Sequence, residues 1–464
     1  MPEKLHVISP VNNSMFAERT FHSENEINAA LTRADMAQQI WKSVPVFERI
    51  EQIEKFIQSF SNLSDQICEE LPWQMGRPIV QVPNEVASTI ERAKGMIDLA
   101  AESLENIVIG KKEGFFRYIK REPLGTIFVV PAWNYPYLIA INSIVPGLLA
   151  GNSIILKHSA QTPLVAERFA DAFKAAGLPD GLFQYLHLTH EDTARVIRDS
   201  RVGFVAFTGS VEGGQHIQKV ASDRFIGVGL ELGGKDPAYV HRDANLAFAI
   251  ENLVSGAFFN SGQSCCSIER IYVHQDLYKD FLEGFVELTK KYKLGNPLDR
   301  ETNLGPVAKN SVVATVRQHV NDALKKGAKT LIDPDLFTNT VLGPEYLAPQ
   351  ILVDVDHGMD IMIKETFGPV VGIMEVKNDK EAIDLMNDSP YGLTASVWTE
   401  NEKAALRISD SVATGTCYMN RCDYLDPYLA WTGVKNTGRG CSLSTIGYEQ
   451  LTRPKSYHMR LNTR

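Results

Sequence analysis

The stretch Gly125-Thr-Ile-Phe-Val-Val130, followed by Pro131-Ala-Trp-Asn-Tyr-Pro136 and an apolar run from Tyr137, decides the fold. A short apolar segment, a Pro-bounded turn and then a helix-length apolar segment predict a strand, a turn and a helix. The pattern recurs downstream. Strands are predicted at 152–157, 182–188 and 202–207, each with a helix after it, the first of these helices over 162–176. Apolar strands alternating with amphipathic helices form a parallel sheet covered on both faces. Such a sheet takes its ligands at the carboxyl ends of its strands.

Further along, 225–240 reads as a Gly-rich strand end carrying Glu231, and a helix over 244–259 leads to Asn260-Ser-Gly-Gln-Ser-Cys-Cys266. A second α/β unit is predicted from a strand at 270–274, helices at 277–292 and 311–326, and strands at 350–355 and 370–375. Upstream, apolar residues three and four apart over 24–70, and again over 83–104, predict helices that cover the sheet. The segment 114–122 mixes aromatics with cations and reads as a strand or hairpin arm, whose edge invites pairing with another subunit. In the tail, Thr452-Arg-Pro-Lys-Ser456 is expected to precede a short last strand.

The net charge of −9 and pI near 5.7 argue against nucleic acid as a partner. The six cysteines are scattered, with neither a disulfide framework nor metal-ligand spacing, so no metal is expected and a reducing compartment is. The N-terminus lacks the basic-then-apolar order of a signal peptide, and the apolar run 137–150 is broken by Asn142, Ser143, Pro146 and Gly147. A cytoplasmic protein without membrane attachment is the expectation.

Chemistry concentrates where strands end. A nucleophilic thiol needs access and nearby N–H groups, and the small residues Gly262 and Ser264 allow both at Cys265. A buried cysteine used only for packing is the plainer alternative. Trp133-Asn134 lies after the first strand of the sheet. The Asn134 amide either ties down that turn or stabilises an oxyanion. Lys157, read as the last residue of its strand, is either a surface cation or a cofactor contact. Phe207-Thr-Gly-Ser-Val-Glu-Gly-Gly214 is a Gly-rich strand-to-helix turn suited to a phosphate, although not a GxGxxG. Unpaired burial of Glu231 would raise its pKa toward that of a general base; pairing with Lys235 or Arg270 is the alternative.

Six motifs then appear in order: Pro-Ala-Trp-Asn-Tyr-Pro (131–136), Lys157 before Thr162-Pro163, Phe-Thr-Gly-Ser (207–210), Glu-Leu-Gly-Gly-Lys (231–235), Gly-Gln-Ser-Cys (262–265) and Glu-Thr-Phe-Gly-Pro (365–369). On these the chain resembles the aldehyde dehydrogenase superfamily from about residue 8 to 460. The resemblance implies Cys265 as nucleophile, Glu231 as general base and Asn134, with the Cys265 backbone N–H, as oxyanion hole. It implies cofactor contacts from Trp133, Lys157, Gly209, Ser210, Glu365 and Phe367. The implied fold has two Rossmann-like parallel-sheet domains and a small β arm. The cofactor domain would span 1–105 and 125–230, the catalytic domain 231–445, and an oligomerisation arm 106–124 and 446–464. A homodimer or homotetramer follows. The implied reaction is NAD(P)-dependent oxidation of a small aldehyde to its acid through a Cys265 thiohemiacetal and thioester.

The segment that is Lys-Pro-Ser-Glu in the family is here Lys157-His158-Ser159-Ala160. Ala160 does not repel a 2′-phosphate as an acidic residue would, so NAD is expected with NADP not excluded. Val211 stands where the family usually has Thr. A CoA-acylating dehydrogenase is one alternative, against which Glu231 speaks. An inactive structural relative is another, against which Cys265, Glu231 and Asn134 together speak. For the substrate, the expected pocket mouth comprises Tyr135, Ser264, Cys266 and the loop 421–425. Cys266 is expected to line the pocket rather than attack. Arg421 is a candidate partner for the carboxylate of a semialdehyde and Asp423 for an amino-aldehyde. Activity is expected to rise from neutral to alkaline pH as thiolate and carboxylate form.

Overall fold

A computed structural model describes residues 3–337 and 343–462. Met1 and Pro2, at the start of the expected cofactor-domain range, and the last two residues of the arm range lie outside the described residues.

An antiparallel hairpin, β1 (Lys4–Ile8) and β2 (Met15–Thr20), precedes the helices and was not read from the sequence. Helix α1 (Glu24–Trp41) starts at a capping box, with Ser23 accepting from the Glu26 N–H and the Glu26 carboxylate accepting from the Ser23 N–H. Such a cap contributes about 1 kcal/mol. Helices α2 (Val46–Ser61), α3 (Ser64–Met75) and α4 (Val82–Leu104) follow. The buried face of α4 includes Glu85, Thr89, Arg92 and Met96, a three- and four-residue spacing that places two charged groups inside.

Strands β3 (Ile107–Val108) and β4 (Phe115–Pro123) fall in the segment expected to form the arm. The first covered sheet is then laid down as β5 (Thr126–Val130), α5 (Pro136–Leu149), β6 (Ser153–Leu156), α6 (Leu164–Ala175), β7 (Phe183–Tyr185), α7 (His190–Arg198), β8 (Val202–Thr208), α8 (Val211–Ala221) and β9 (Gly227–Glu231). All five residues of β5 are buried, as a central parallel strand requires. Lys157 falls just beyond β6 instead of ending it.

The second unit contains β10 (Asp236–Val240), α9 (Leu246–Phe258), β11 (Ile268–His274), α10 (Tyr278–Thr289), α11 (Asn310–Lys325), β12 (Lys329–Thr330), β13 (Gln350–Val353), α12 (Asp360–Ile363) and β14 (Val370–Val376). It continues with α13 (Asp379–Asn387), β15 (Tyr391–Gly392), β16 (Thr394–Trp398), α14 (Glu402–Ser409) and β17 (Thr416–Met419). The short strands β18 (Val434–Lys435) and β19 (Gly438–Arg439), the turn α15 (Ser444–Gly447) and β20 (Thr452–Arg460) close the chain.

The first sheet has the order β19-β9-β8-β5-β6-β7, and the second β12-β13-β14-β11-β10-β16-β17. Both are parallel apart from β19 and β12 at their edges. In the first sheet the chain runs outward from β5 through β6 and β7, then crosses back to place β8 on the other side of β5. The carboxyl ends of β5 and β8 therefore flank a crevice. Trp133, Asn134, Gly209 and Ser210 follow those ends, while Lys157 and Glu231 stand at the ends of the adjoining strands. A third sheet, β20-β4-β3, stands apart. Its last strand includes 452–456, which had been expected to precede it. Pro454 is tolerated there because β20 is an edge strand with one side free of ladder bonds.

Candidate active site

The loop between α9 and β11 is held in an uncommon backbone shape. Asn260 and Ser261 have φ of 53° and 57°, and Gly262 has φ of 70°. A Cβ on Gly262 would lie 2.2 Å from the Gly368 carbonyl oxygen, so glycine alone lets this loop meet the 365–369 segment. Side-chain hydrogen bonds retain the shape. Asn260 Nδ2 donates to the carbonyls of Asn134 (3.2 Å) and Gln263 (3.1 Å), and Ser261 Oγ donates to Gly305 O at 2.8 Å. Gln263 donates to Asn260 O at 2.9 Å and accepts from the Ala308 N–H at 2.8 Å. Strain of this kind persists only where the surroundings over-determine it.

Cys265 emerges from this loop half-buried, in the wall of a cavity of about 200 Å³. Glu231, Thr208, Tyr135, Arg92, Ser264, Cys266, Asp423, Tyr424 and Leu425 share that wall. The two adjacent thiols have separate surroundings. Cys266 is buried and donates to Asp423 Oδ1 at 2.9 Å. Its pKa is pushed well up, first by its contact with Cys265, then by burial and by the Asp423 charge. It stays a protonated thiol and a poor nucleophile. Asp423 also accepts from Ser264 Oγ at 3.2 Å. Burial raises its carboxyl to about 6.

Asn134 is buried and its Nδ2 donates to Gln263 O at 3.2 Å, two residues before the thiol. An amide nitrogen carries two hydrogens, so one remains for an oxyanion. The Asn134 carbonyl accepts from Arg77, which also donates to Asn260 Oδ1 at 3.2 Å, lies over the Tyr135 ring and forms a buried ion pair with Glu85. Arg77 thus joins the β5–α5 loop to the cysteine loop. Nothing in the local sequence around Arg77 marks it. The buried polar spacing along α4, including its partner Glu85, is the signal that could have found it.

Glu231 ends β9, with Oε1 accepting from Ser442 Oγ at 2.6 Å and Oε2 in a long 3.5 Å contact with Thr208 Oγ1. The β9–β19 pairing of Glu231 with Gly438 brings the Ser442 segment alongside. Burial raises the Glu231 pKa, while Ser442, the Arg92 charge and Thr208 pull it back. The alternative pairing of Glu231 with Lys235 or Arg270 does not occur. Lys235 pairs with buried Glu269, and Arg270 donates to carbonyls including that of Lys235 at 2.9 Å.

The same Glu269 accepts from the Thr366 and Phe367 N–H groups, each at 2.9 Å, and so fixes the turn that carries Glu365. Glu365 accepts from the Gly234 N–H at 3.0 Å. Burial, reinforced by the Glu269 charge, raises it to about 8. Phe367 meets Trp133 edge-on, with ring centroids 5.7 Å apart, and Lys309 lies 5.3 Å over the other ring system of this pair, that of Trp133. Burial with repulsion from Lys309 lowers Lys157 to about 8. Among the described residues neither lysine has an ion pair, and the Lys157 amine has no hydrogen bond; only its backbone N–H is bonded, to Val129 O at 2.9 Å. Ser210 caps α8 by accepting from Gly213 N–H at 3.1 Å, and the Gly209 N–H donates to Glu231 O at 3.0 Å. Two half-buried amines without a carboxylate among the described residues, a helix N-terminus and a half-buried carboxyl with one N–H partner suit a dinucleotide's diphosphate and ribose hydroxyls.

Arg421 is a correction. It is exposed, with its guanidinium 3.5 Å over the Tyr424 ring, and it does not line the cavity. The cations in the wall are Arg77 and Arg92.

Comparison with known proteins agrees with this geometry. The model of the aldehyde dehydrogenase family matches residues 1–457. A D-glyceraldehyde dehydrogenase (NADP(+)) of Picrophilus torridus is 30% identical over 94% of this chain and 89% of its own length. A succinate semialdehyde dehydrogenase [NAD(P)+] of Escherichia coli is 30% identical over 96% and 95%. The solved succinic semialdehyde dehydrogenase of Streptococcus pyogenes, in complex with NADP+, superposes with a TM-score of 0.92 at 27% identity, covering 98% of this chain and all of that one. The chain belongs to the aldehyde dehydrogenase family. Its reaction is the NAD(P)-dependent oxidation of an aldehyde to a carboxylic acid. Among the described residues no helix is long and apolar enough to cross a membrane.

Proposed function

We propose that Cys265 is the nucleophile, Glu231 the general base and Asn134 the oxyanion donor of this oxidation. The observation that carries the reading is that Cys265 and Glu231 share one cavity wall while the Asn134 amide is pinned two residues from the thiol. The Cys265 thiolate attacks the aldehyde carbon, forming a C–S bond and moving the carbonyl electrons onto oxygen. The Asn134 Nδ2–H and the Cys265 backbone N–H hold that oxyanion. When bound, the nicotinamide supplies the two-electron acceptor for the substrate's hydride. The product on Cys265 is a thioester. Glu231 takes a proton from water, whose oxygen bonds to the acyl carbon as the C–S bond breaks and the acid leaves.

Lys157, Lys309, Ser210 and the start of α8 would hold the cofactor's diphosphate and adenosine ribose, and Glu365 its other ribose. Trp133 and Phe367 would wall the nicotinamide side. NAD is the expected partner and the neutral Ala160 leaves NADP open. The presence of Glu231, bonded to Ser442 beside Cys265, favours water over coenzyme A as the acyl acceptor. The domain ranges 1–105 with 125–230, 231–445 and 106–124 with 446–464 enter this proposal as cofactor, catalytic and oligomerisation units. The β20-β4-β3 sheet has open edges fit for a second copy in a homodimer or homotetramer. Six free cysteines fit a reducing cytoplasm.

The test is NADH and NADPH formation with an aldehyde panel. Wild type should reduce at least one cofactor, and Cys265→Ala should lose about four orders of magnitude or more. Retention of activity in Cys265→Ala would refute the assignment.

A further inference from the structure

Of the two cations that wall the cavity, Arg77 is used up by the fold, because its charge is matched by Glu85 and its donors serve the loops. Arg92 is not. It is 6% exposed, and a single nitrogen, Nη1, makes both of its side-chain hydrogen bonds among the described residues, to Leu138 O at 3.0 Å and Asn142 Oδ1 at 3.2 Å. Among the described residues Nε and Nη2 have no acceptor and no carboxylate ion-pairs with the guanidinium. These nitrogens are not sealed in packing, since the side chain forms part of the cavity wall. Glu231 and Asp423 are near enough for their charges to act on Arg92, but each is bonded elsewhere, to Ser442 and to Ser264 and Cys266. An enclosed guanidinium with three free N–H donors is costly unless an anion completes it.

We propose that Arg92 binds an anionic group on the far end of the substrate, so that the cavity selects short aldehydes bearing an ω-carboxylate. This rests on the reading of Cys265 as the nucleophile in the same cavity. The forked guanidinium matches the two oxygens of a carboxylate. The cavity of about 200 Å³ is below the roughly 300–1,000 Å³ of drug-sized sites, which favours a short chain. Phosphate shares the anionic chemistry and pairs with the same fork, so a phosphomonoester is the competing ligand in the titration. The Asn142 contact sets the guanidinium plane. Arg92 comes from α4 and Cys265 from the loop after α9, so the substrate is held between two elements.

The experiment compares kcat/KM for aldehydes of equal length ending in carboxylate, methyl or ammonium. Wild type should favour the carboxylate. In Arg92→Gln the carboxylate-to-methyl ratio should fall about 10- to 100-fold, mainly through KM, the equivalent of a charge-assisted hydrogen bond. Arg92→Lys should recover part of it. An unchanged ratio in Arg92→Gln, or a wild-type preference for the ammonium aldehyde, would overturn the proposal. Calorimetric titration of wild-type protein with a short α,ω-dicarboxylate, the matching monocarboxylate and a phosphomonoester needs neither a variant nor turnover. Tighter binding of the dicarboxylate supports the proposal; equal binding, or preference for the phosphomonoester, refutes it. If no aldehyde is oxidised, the titration still judges Arg92 while the assignment of Cys265 falls separately.

Discussion

In the loop from Asn260 to Ser264 every side-chain amide and hydroxyl has a partner inside the protein, whereas across the cleft Lys157 and Lys309 have no anion among the described residues and Glu365 accepts one N–H. The first region spends its polar atoms on position. The second keeps them for something that arrives. This division separates scaffold from binding surface more sharply than burial does, since both regions are largely enclosed. It also ranks the two arginines of the cavity, with Arg77 on the scaffold side and Arg92 on the other.

The largest effect should come from breaking the scaffold side. Arg77→Met leaves Glu85 buried and unpaired and should cost about 3–5 kcal/mol in chemical unfolding. The double variant Arg77→Met/Glu85→Gln should recover a large part of that; if it recovers nothing, the ion pair is not what Arg77 supplies. Asn134→Ala touches both regions, and should lower kcat about 100- to 1,000-fold with a smaller change in KM. A loss confined to stability would make Asn134 a turn residue only.

On the binding side, Glu365 should reveal itself through pH. Its folded pKa of about 8 lies above the ordinary glutamate value of 4.5, so the folded state retains a proton that the unfolded state has lost between those values. The contribution is fully present below the unfolded pKa and is lost as pH rises through about 8. Tm of the cofactor-free protein should therefore fall across neutral pH, and Glu365→Gln should flatten that fall. Asp423, raised to about 6, adds a smaller total fall over a narrower and lower pH range. The mildest change is Cys266→Ser, nearly isosteric and still a donor to Asp423, which should cost less than about 1.5 kcal/mol and leave turnover within a few-fold. Abolished turnover would make Cys266 more than a pocket wall.

The alternation of apolar strands and amphipathic helices was legible because a parallel sheet buried on both faces leaves almost only apolar positions in its strands, as β5 and β6 show, their polar exceptions Thr126 and Ser153 bonding to each other at 3.1 Å. The motifs at strand ends were legible because topology puts those ends at one crevice. Arg421 misled because Asp423, Tyr424 and Leu425 do line the cavity. Adjacent loop residues point in different directions, and the attraction of its guanidinium to the Tyr424 ring holds Arg421 outside. The β1–β2 hairpin was missed since its strands are short and partly exposed. Arg92 was missed because a cation amid a helical pattern reads as solvent-facing, and only the packing of α4 on α5 turns it inward.

Glu231 and the serine that orients it, Ser442, are 211 residues apart, and β19 must join the first sheet before they meet. On the ribosome the nucleophile, the oxyanion amide and the base are all synthesised well before that serine. A nascent chain could therefore fold much of its first sheet and already display a thiol, yet have no fixed acceptor for the water's proton. Competence arrives late in translation, when the returning segment clips onto β9, so full turnover reports that the chain has been made and folded through Ser442.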